Sequence, residues 1–143
     1  MNNLSFHITD ITANSIRANA SEIGLSVEEQ DTRIVIRITD NGLGMDAETA
    51  RRVTNPFYTT RTTRKVGLGL PFLIQNAEQT GGSVTLTSEP GKGTKVRAVF
   101  HSDHIDCPPW GDLPGTVALL ITGNPEINVC FEYRSGETGY SIS

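Results

Sequence analysis

Hydrophobic positions at the start of the chain recur with a helical period. Between Leu4 and Ala20 the apolar or small residues come three or four positions apart: Leu4, Ile8, Ile11, Ser15 and Ala18. This spacing predicts an amphipathic helix that turns one apolar stripe toward a core. The polar residues Asp10, Asn14 and Arg17 share a different face of the same helix.

Two pairs of segments alternate apolar and polar residues at every second position, as β-strands do. The first pair runs from Glu22 to Glu29 and from Arg33 to Thr39, and a short polar connection joins its members. The second pair runs from Ser83 to Glu89 and from Thr94 to Phe100, and the Pro-Gly-Lys-Gly sequence between them is typical of a turn. We therefore expect two antiparallel hairpins.

Two further helices are expected between the hairpins. Asp46 can cap a short helix that ends near Val53. A longer helix should begin near Leu70, with Pro71 tolerated in its first turn, and should end at Gly81. The resulting order of elements predicts an α/β (α+β) sandwich, in which helices cover one face of a mostly antiparallel, mixed sheet.

The rest of the chain predicts a small C-terminal extension made of a helix and a hairpin. Leu113 to Thr122 can form the helix, Ile127 to Tyr133 alternates like a strand, and a turn at Ser135 leads into a final strand. We expect residues 1–100 to form the main domain. Residues 101–143 would pack on that domain or present a surface to a partner.

Composition narrows the classes of function. The 143 residues, of which 36% are hydrophobic and 20% charged, suit a single globular domain. The net charge of −4 gives no electrostatic reason to expect nucleic acid or an acidic membrane as a partner. The chain lacks a long apolar run or the pattern of a signal peptide, so we expect a cytoplasmic location. Cys107 and Cys130 stand apart in the sequence and are interpreted as ordinary thiols.

Three short patterns carry possible chemistry. Asp10 and Asn14 lie one helical turn apart, where an amide oxygen can bind Mg²⁺ and a carboxylate can accept a proton, although most such faces are simply solvated. Asp40 to Gly44 follows a strand, and it is either a binding loop or a plain turn. Gly67 to Gly69 leads into a helix N-terminus, which favours phosphate oxygens, but a lone pair of glycines is a weak signal.

Taken in order, these patterns resemble the GHKL ATPase superfamily, which includes DNA gyrase, heat-shock chaperone, histidine kinase and mismatch-repair ATPases. Five motifs between Leu4 and Phe100 carry the resemblance: Asn14, Asp40 to Gly44, Asn55 to Thr60, Gly67 to Leu70, and Gly91 to Thr94. The segments Pro-Phe-Tyr-Thr-Thr and Gly-Leu-Gly-Leu look most like the catalytic domains of bacterial sensor histidine kinases.

The resemblance implies a role for each matched residue. Asn14 would coordinate Mg²⁺, Asp40 would bind the adenine amino group, Gly42 and Gly44 would shape the base pocket, and Thr94 would support it. Five further residues would complete the nucleotide site: Met45, Phe57, Thr60, Leu68 and Leu70.

The same resemblance assigns the phosphate end of the site. Gly67 and Gly69 would approach the triphosphate, and Arg17 would face phosphate from the first helix. Thr59 to Val66 would form a lid, in which one of three cations could close over the γ-phosphate: Arg61, Arg64 or Lys65. Asp10 would be the catalytic residue, although relatives carry Glu or Asn at its position, which leaves its role open.

The function expected from the resemblance is a stand-alone, histidine-kinase-like domain that binds Mg·ATP. We expect it to transfer the γ-phosphoryl group to a His or Ser of a separate protein, because the chain lacks a long helical segment with its own acceptor histidine. The alternative is an anti-sigma-like regulatory module that binds ATP and a protein partner without phosphoryl transfer.

The remaining histidines have ordinary interpretations. We expect His7 to lie at the surface or at a helix cap. His101, His104 and Cys107 recur every three residues, yet they lack an apparent fourth ligand for a metal site. Trp110 is expected to anchor the C-terminal extension by packing.

Overall fold

The computed structural model describes residues 3–54, 69–135 and 138–142. Its helices are α1 (Leu4–Arg17), α2 (Ala47–Thr54), α3 (Gly69–Gln79) and α4 (Leu113–Thr122). Its strands are β1 (Glu22–Gln30), β2 (Arg33–Asp40), β3 (Ser83–Glu89), β4 (Gly93–His101), β5 (Asn128–Ser135) and β6 (Thr138–Ile142). Each predicted helix and strand is therefore confirmed, with ends that differ by a few residues.

The strands form one sheet in the order β3-β4-β2-β1-β5-β6. Neighbouring strands are antiparallel except for β1 and β5, which run parallel. The sheet is thus mixed and mostly antiparallel, as expected. The pairing of β5 with β1 attaches the C-terminal extension to the sheet that the first hundred residues build.

The hydrophobic core lies between the helices and one face of the sheet. Strand positions that alternate along β1, β2 and β4 supply its floor: Leu25, Val27, Ile34, Ile36, Ile38, Val96, Ala98 and Phe100. Helices α1, α3 and α4 cover that floor with Leu4, Ile8, Ile11, Leu70, Leu73, Ala77, Leu113 and Val117. The alternate strand positions form the other face of the sheet and are mostly polar, but Val35 and Val99 on that face are buried.

The C-terminal extension also holds the start of α1. The Leu4 and Ser5 amides donate to the carbonyl oxygens of Pro109 and Trp110 at 2.8 and 3.0 Å, while the Asn3 side chain caps the next free amide. The Trp110 indole donates to the Glu29 carboxylate, and its ring packs against the core. The expected anchoring role of Trp110 is confirmed, and the free amides of the α1 N-terminus are satisfied.

His7 corrects the sequence interpretation, because it is only 1% exposed rather than at the surface. It lies between α1 and α3, with Nε2 at 2.7 Å from Nδ2 of Asn76 and its ring beside Phe72 and Phe100. Burial lowers the pKa of His7 to about 4, so the ring is neutral at pH 7. The period of the helix explains the error, since residue 7 follows Leu4 by three positions and shares its buried face.

Candidate functional site

A cavity of about 380 Å³ opens where α1, the end of β2, the start of β4 and the loop after β2 meet. Its apolar lining consists of Ile11, Ala18, Ile38, Leu43, Met45, Leu70 and Val96. Its polar lining consists of Asn14, Ser15, Arg17, Asp40 and Thr94. An apolar cleft with a few convergent polar groups is the usual form of a small-molecule site.

Two hydrogen bonds hold the carboxylate of Asp40, the last residue of β2, in the lining of the cavity. The Ser15 hydroxyl donates to Oδ2 at 2.6 Å, and the Gly42 amide donates to Oδ1 at 2.9 Å. These two bonds fix the plane of the carboxylate, while each oxygen keeps a lone pair that can accept a hydrogen bond from a ligand. Asp40 is therefore arranged to recognise a donor such as an exocyclic amine.

Ser15 is a site residue that the sequence interpretation did not assign. It was treated as a small residue of the core face, and it is indeed 3% exposed. Its hydroxyl nevertheless needs a partner when buried. A serine on a buried helix face, one position after Asn14, was the signal that could have identified it.

The loop after β2 depends on glycine for close packing. Gly44 has a φ of +71°, and a Cβ there would lie 1.9 Å from the Glu89 carbonyl oxygen. A Cβ at Gly42 would lie 2.7 Å from the Ala18 carbonyl oxygen. The loop therefore fits between the end of α1 and the β3–β4 turn only without side chains at these positions.

Thr94 lies directly opposite Asp40 on the neighbouring strand β4. Its hydroxyl is 2.8 Å from the Ser88 hydroxyl, which accepts a hydrogen bond from the Met45 amide at 2.8 Å. Ser88 thus connects Thr94 to the glycine loop. The sequence interpretation missed Ser88, which looks like an ordinary strand residue.

Asn14 and Arg17 lie three positions apart on one face of α1, and both line the cavity. The Arg17 guanidinium donates to Oδ1 of Asn14. This amide oxygen is the atom that a metal would need, so metal binding there requires the Arg17 contact to rearrange.

Asp10 lies one turn before Asn14 and does not line the cavity. Burial raises the pKa of its carboxyl group, and the positive charge of Arg17 acts in the opposite direction. A carboxylate with a raised pKa is a better proton acceptor than an ordinary one.

The structure brings seven predicted site residues into the lining of one cavity: Asn14, Arg17, Asp40, Gly44, Met45, Leu70 and Thr94. Gly42 adjoins it through its bond to Asp40, and Gly69 is the first residue of α3. Other predicted site residues lie outside the described residues: Phe57, Thr60, Arg61, Arg64, Lys65, Gly67 and Leu68.

Two observations concern other classes of site. In the described part of the chain, no three His, Cys, Asp or Glu side chains come together as a metal-binding group. None of the described helices has the length and apolar character that crossing a bilayer requires.

Comparison with known proteins identifies the family. Residues 3–104 match the model of the histidine kinase-, DNA gyrase B-, and HSP90-like ATPases. Sensor histidine kinase YxdK of Bacillus subtilis is 29% identical over 68% of this chain and 32% of its own length. Sporulation kinase C of the same organism is 30% identical over 69% of this chain and 23% of its own length. The chain therefore spans about a third or less of these relatives.

A solved structure extends the likeness in fold to the C-terminal extension. The N-terminal domain of a DNA repair protein superposes with a TM-score of 0.62 over 99% of this chain and 52% of that one, and the 16% identity limits this match to the fold. Together with the motifs around the cavity, the family match shows that the chain belongs to the histidine kinase-, DNA gyrase B-, and HSP90-like ATPases, as a domain of the histidine kinase type.

Proposed function

We propose that the cavity binds ATP, with the adenine between the apolar walls and its amino group donating to Asp40. The observation that carries this proposal is the fixed Asp40 carboxylate at the edge of a largely apolar cleft. Thr94, opposite Asp40, would support the base from the second strand. The family match supports ATP as the ligand.

The phosphates would extend toward Asn14, Arg17 and the N-terminus of α3. Helix α3 begins at Gly69, and Leu70 lines the cavity, so free amides and the positive end of the helix dipole are close to the site. The guanidinium of Arg17 would add a second positive charge. The lid residues Arg61, Arg64 and Lys65 are our further candidates for γ-phosphate contacts.

Mg²⁺ is proposed as the cofactor, with Asn14 as its protein ligand. One amide oxygen suits this ion, which usually keeps several waters and takes its remaining ligands from nucleotide phosphates. When bound, Mg²⁺ would neutralise charge on the phosphates. Binding of the ion would displace the Arg17 guanidinium from the Asn14 oxygen, and the guanidinium would then be available to the phosphates.

The reaction proposed for this site is transfer of the γ-phosphoryl group from ATP to a His or Ser of a separate protein. The acceptor atom would form a bond to the γ-phosphorus as the bond to the β–γ bridging oxygen breaks, and ADP would leave. The histidine kinases among the relatives support this reaction class. A role in bacterial signalling and a cytoplasmic location, where ATP is available, belong to the same proposal.

The transfer is tested by incubating the protein with γ-labelled ATP, Mg²⁺ and a cell extract. We expect label on a second protein, and none when Asn14→Ala replaces the wild type. Label that is lost in acid indicates phosphohistidine, whereas acid-stable label indicates phosphoserine. Tight ATP binding without labelled protein or released phosphate would instead support a regulatory module that binds a partner without transfer.

Asp10 favours slow ATP hydrolysis as a second candidate. Its carboxyl group has a raised pKa because of burial, and it lies one turn from Asn14 on the same helix face. In this reaction Asp10 would accept a proton from an attacking water. Release of phosphate that requires Asp10 but no second protein would favour hydrolysis over transfer.

A further inference from the structure

The face of the sheet opposite the helices carries a cluster of cations, Arg37, Lys95 and Arg97, which we call the basic patch. Arg37 on β2 and Arg97 on β4 are direct partners across the antiparallel pair. Lys95 lies two positions from Arg97 and therefore on the same face. Three positive side chains thus occupy adjacent positions of an outward face, on a protein whose net charge is −4.

Neighbouring acids neutralise the basic patch only in part. Among the described residues, neither Lys95 nor Arg97 has a carboxylate within ion-pair distance, and Arg37 reaches only Glu28, at 3.8 Å, with both side chains 40% exposed. Like charges directly opposite one another destabilise a sheet. The arrangement therefore opposes folding, which indicates a role other than stability.

The surroundings of the basic patch limit the shape of an anionic ligand. The positions beside the cations carry short hydroxyl side chains, Thr39, Thr85 and Thr87, so the surface is open to an extended segment. Beyond the patch the outward charged positions are mostly acidic. They are Glu89 at the end of β3 and, on β1 and β5, Glu22, Glu28 and Glu132 against Arg134. A duplex or an anionic bilayer would cover these acids as well and would be repelled.

We propose that the basic patch is a docking surface for a short acidic segment of a partner protein. An extended segment with several Asp or Glu residues can lie along β4 over Lys95 and Arg97 and reach Arg37 beside them, which leaves most of the acids of β1 and β5 uncovered. The cations lie on the face opposite the nucleotide cavity, so docking would leave the cavity open. This inference is independent of the reaction that the cavity carries out.

The competing explanation is an ordinary solvated sheet face. In that case the aliphatic parts of Arg37 and Arg97 only cover Val35 and Val99. These valines are opposite one another and 5% and 6% exposed, two positions from the arginine pair. Arg97→Met keeps an apolar stem and removes the charge. Shielding alone predicts that this variant behaves as the wild type.

The test uses a fluorescein-labelled hexaglutamate peptide and fluorescence anisotropy in 100 mM NaCl without nucleotide. We expect saturable binding that Arg97→Glu weakens about tenfold and Arg97→Met weakens about threefold, as loss of exposed charge pairs does. Arg134→Glu is the matched control, since it makes the same charge change on the same face but three strands away, beyond the screening distance of about 10 Å. It should alter binding less than twofold.

Four results would overturn the proposal: no saturable binding to the wild type, unchanged binding by Arg97→Met, equal weakening by Arg134→Glu, or tighter binding of a 20-base-pair duplex or phosphatidylserine vesicles than of the peptide. Thermal melts establish that each variant is folded, and Arg97→Met should melt no lower than the wild type because repulsion is relieved. Affinity for Mg·ATP, measured on the same samples, should not change, which separates this proposal from that of the nucleotide site.

Discussion

At the residue scale, the Ser15 hydroxyl holds the Asp40 carboxylate at 2.6 Å within the wall of the cavity. We predict that Ser15→Ala lowers ATP affinity about tenfold, because a hydrogen bond to a charged group contributes about 1.5 kcal/mol or more. Isothermal titration calorimetry measures the effect. Thr12→Ala, which also removes a buried hydroxyl from α1 but one that contacts only helix carbonyls, should leave ATP affinity unchanged. If Ser15→Ala bound ATP as tightly as the wild type, the Ser15 hydroxyl would have no role in ATP binding.

The buried His7 makes stability depend on pH. Its pKa is about 4 in the folded protein and 6.5 in the unfolded chain, so only the unfolded chain takes up a proton as pH falls below 6.5. Above that pH the ring is neutral in both states, and its burial costs no stability. As pH falls toward 4, protonation of the unfolded chain lowers the free energy of unfolding. Between pH 7.5 and 5.5 the free energy of unfolding should decrease by about 1.3 kcal/mol from this group.

Urea denaturation at pH 7.5 and 5.5 measures this decrease. His7→Gln is the comparison, since it keeps a polar group that can reach Asn76 but has no proton to gain. The difference between the two pH values should shrink by about 1.3 kcal/mol in this variant. An unchanged difference would show that His7 does not titrate as the burial implies.

At the element scale, the loop from Asp40 to Met45 is shaped by backbone contacts rather than by side chains. Gly44 and Gly91 have similar φ values of +71° and +79°, but a Cβ at Gly91 would meet nothing within 4 Å, whereas a Cβ at Gly44 would meet the Glu89 carbonyl. Gly91→Ala should cost about 1 kcal/mol of stability, from backbone strain alone. Gly44→Ala should cost about 3 kcal/mol or more and weaken ATP binding, because the loop must move.

Thermal or urea denaturation, together with calorimetry, compares the two glycine variants. Both positions share the positive φ, so the difference between the two variants reports the effect of the close backbone contact at Gly44. If Gly44→Ala is no more destabilising than Gly91→Ala and binds ATP equally well, the packing of the loop against the β3–β4 turn does not shape the site.

Local periodicity predicted the elements well because it reports which face of a helix or strand is buried. The alternation in β1 and β2 and the Pro-Gly-Lys-Gly turn before β4 placed both hairpins, and the motif order placed Asp40, Asn14 and Thr94 in one site. Contacts between distant segments were not predictable in this way. The bond from His7 to Asn76, the bond from Ser15 to Asp40 and the parallel pairing of β1 with β5 each join residues that the sequence separates widely.

At the scale of the whole molecule, the C-terminal extension supports the helix that carries the site. We propose that residues 101–143 stabilise the position of α1, because β5 pairs with β1 and the carbonyls of Pro109 and Trp110 hold the first amides of α1. The nucleotide cavity lies on the helix side of the sheet and the basic patch on the other. Two faces of one sheet can therefore serve a nucleotide and a protein partner separately.

The central claim is that the Asp40 carboxylate recognises the adenine of ATP, and calorimetry of Asp40→Asn tests it most directly. In this variant an amide NH₂ replaces one carboxylate oxygen: in place of Oδ1 it faces the Gly42 amide, and in place of Oδ2 it turns the Ser15 hydroxyl from donor to acceptor. In both cases one of the two acceptor oxygens that could meet the adenine amino group is lost. We predict that ATP affinity falls at least about 30-fold, equivalent to about 2 kcal/mol, and that the preference for ATP over GTP narrows. Wild-type affinity for ATP in Asp40→Asn, or an unchanged preference for ATP over GTP, would contradict the account.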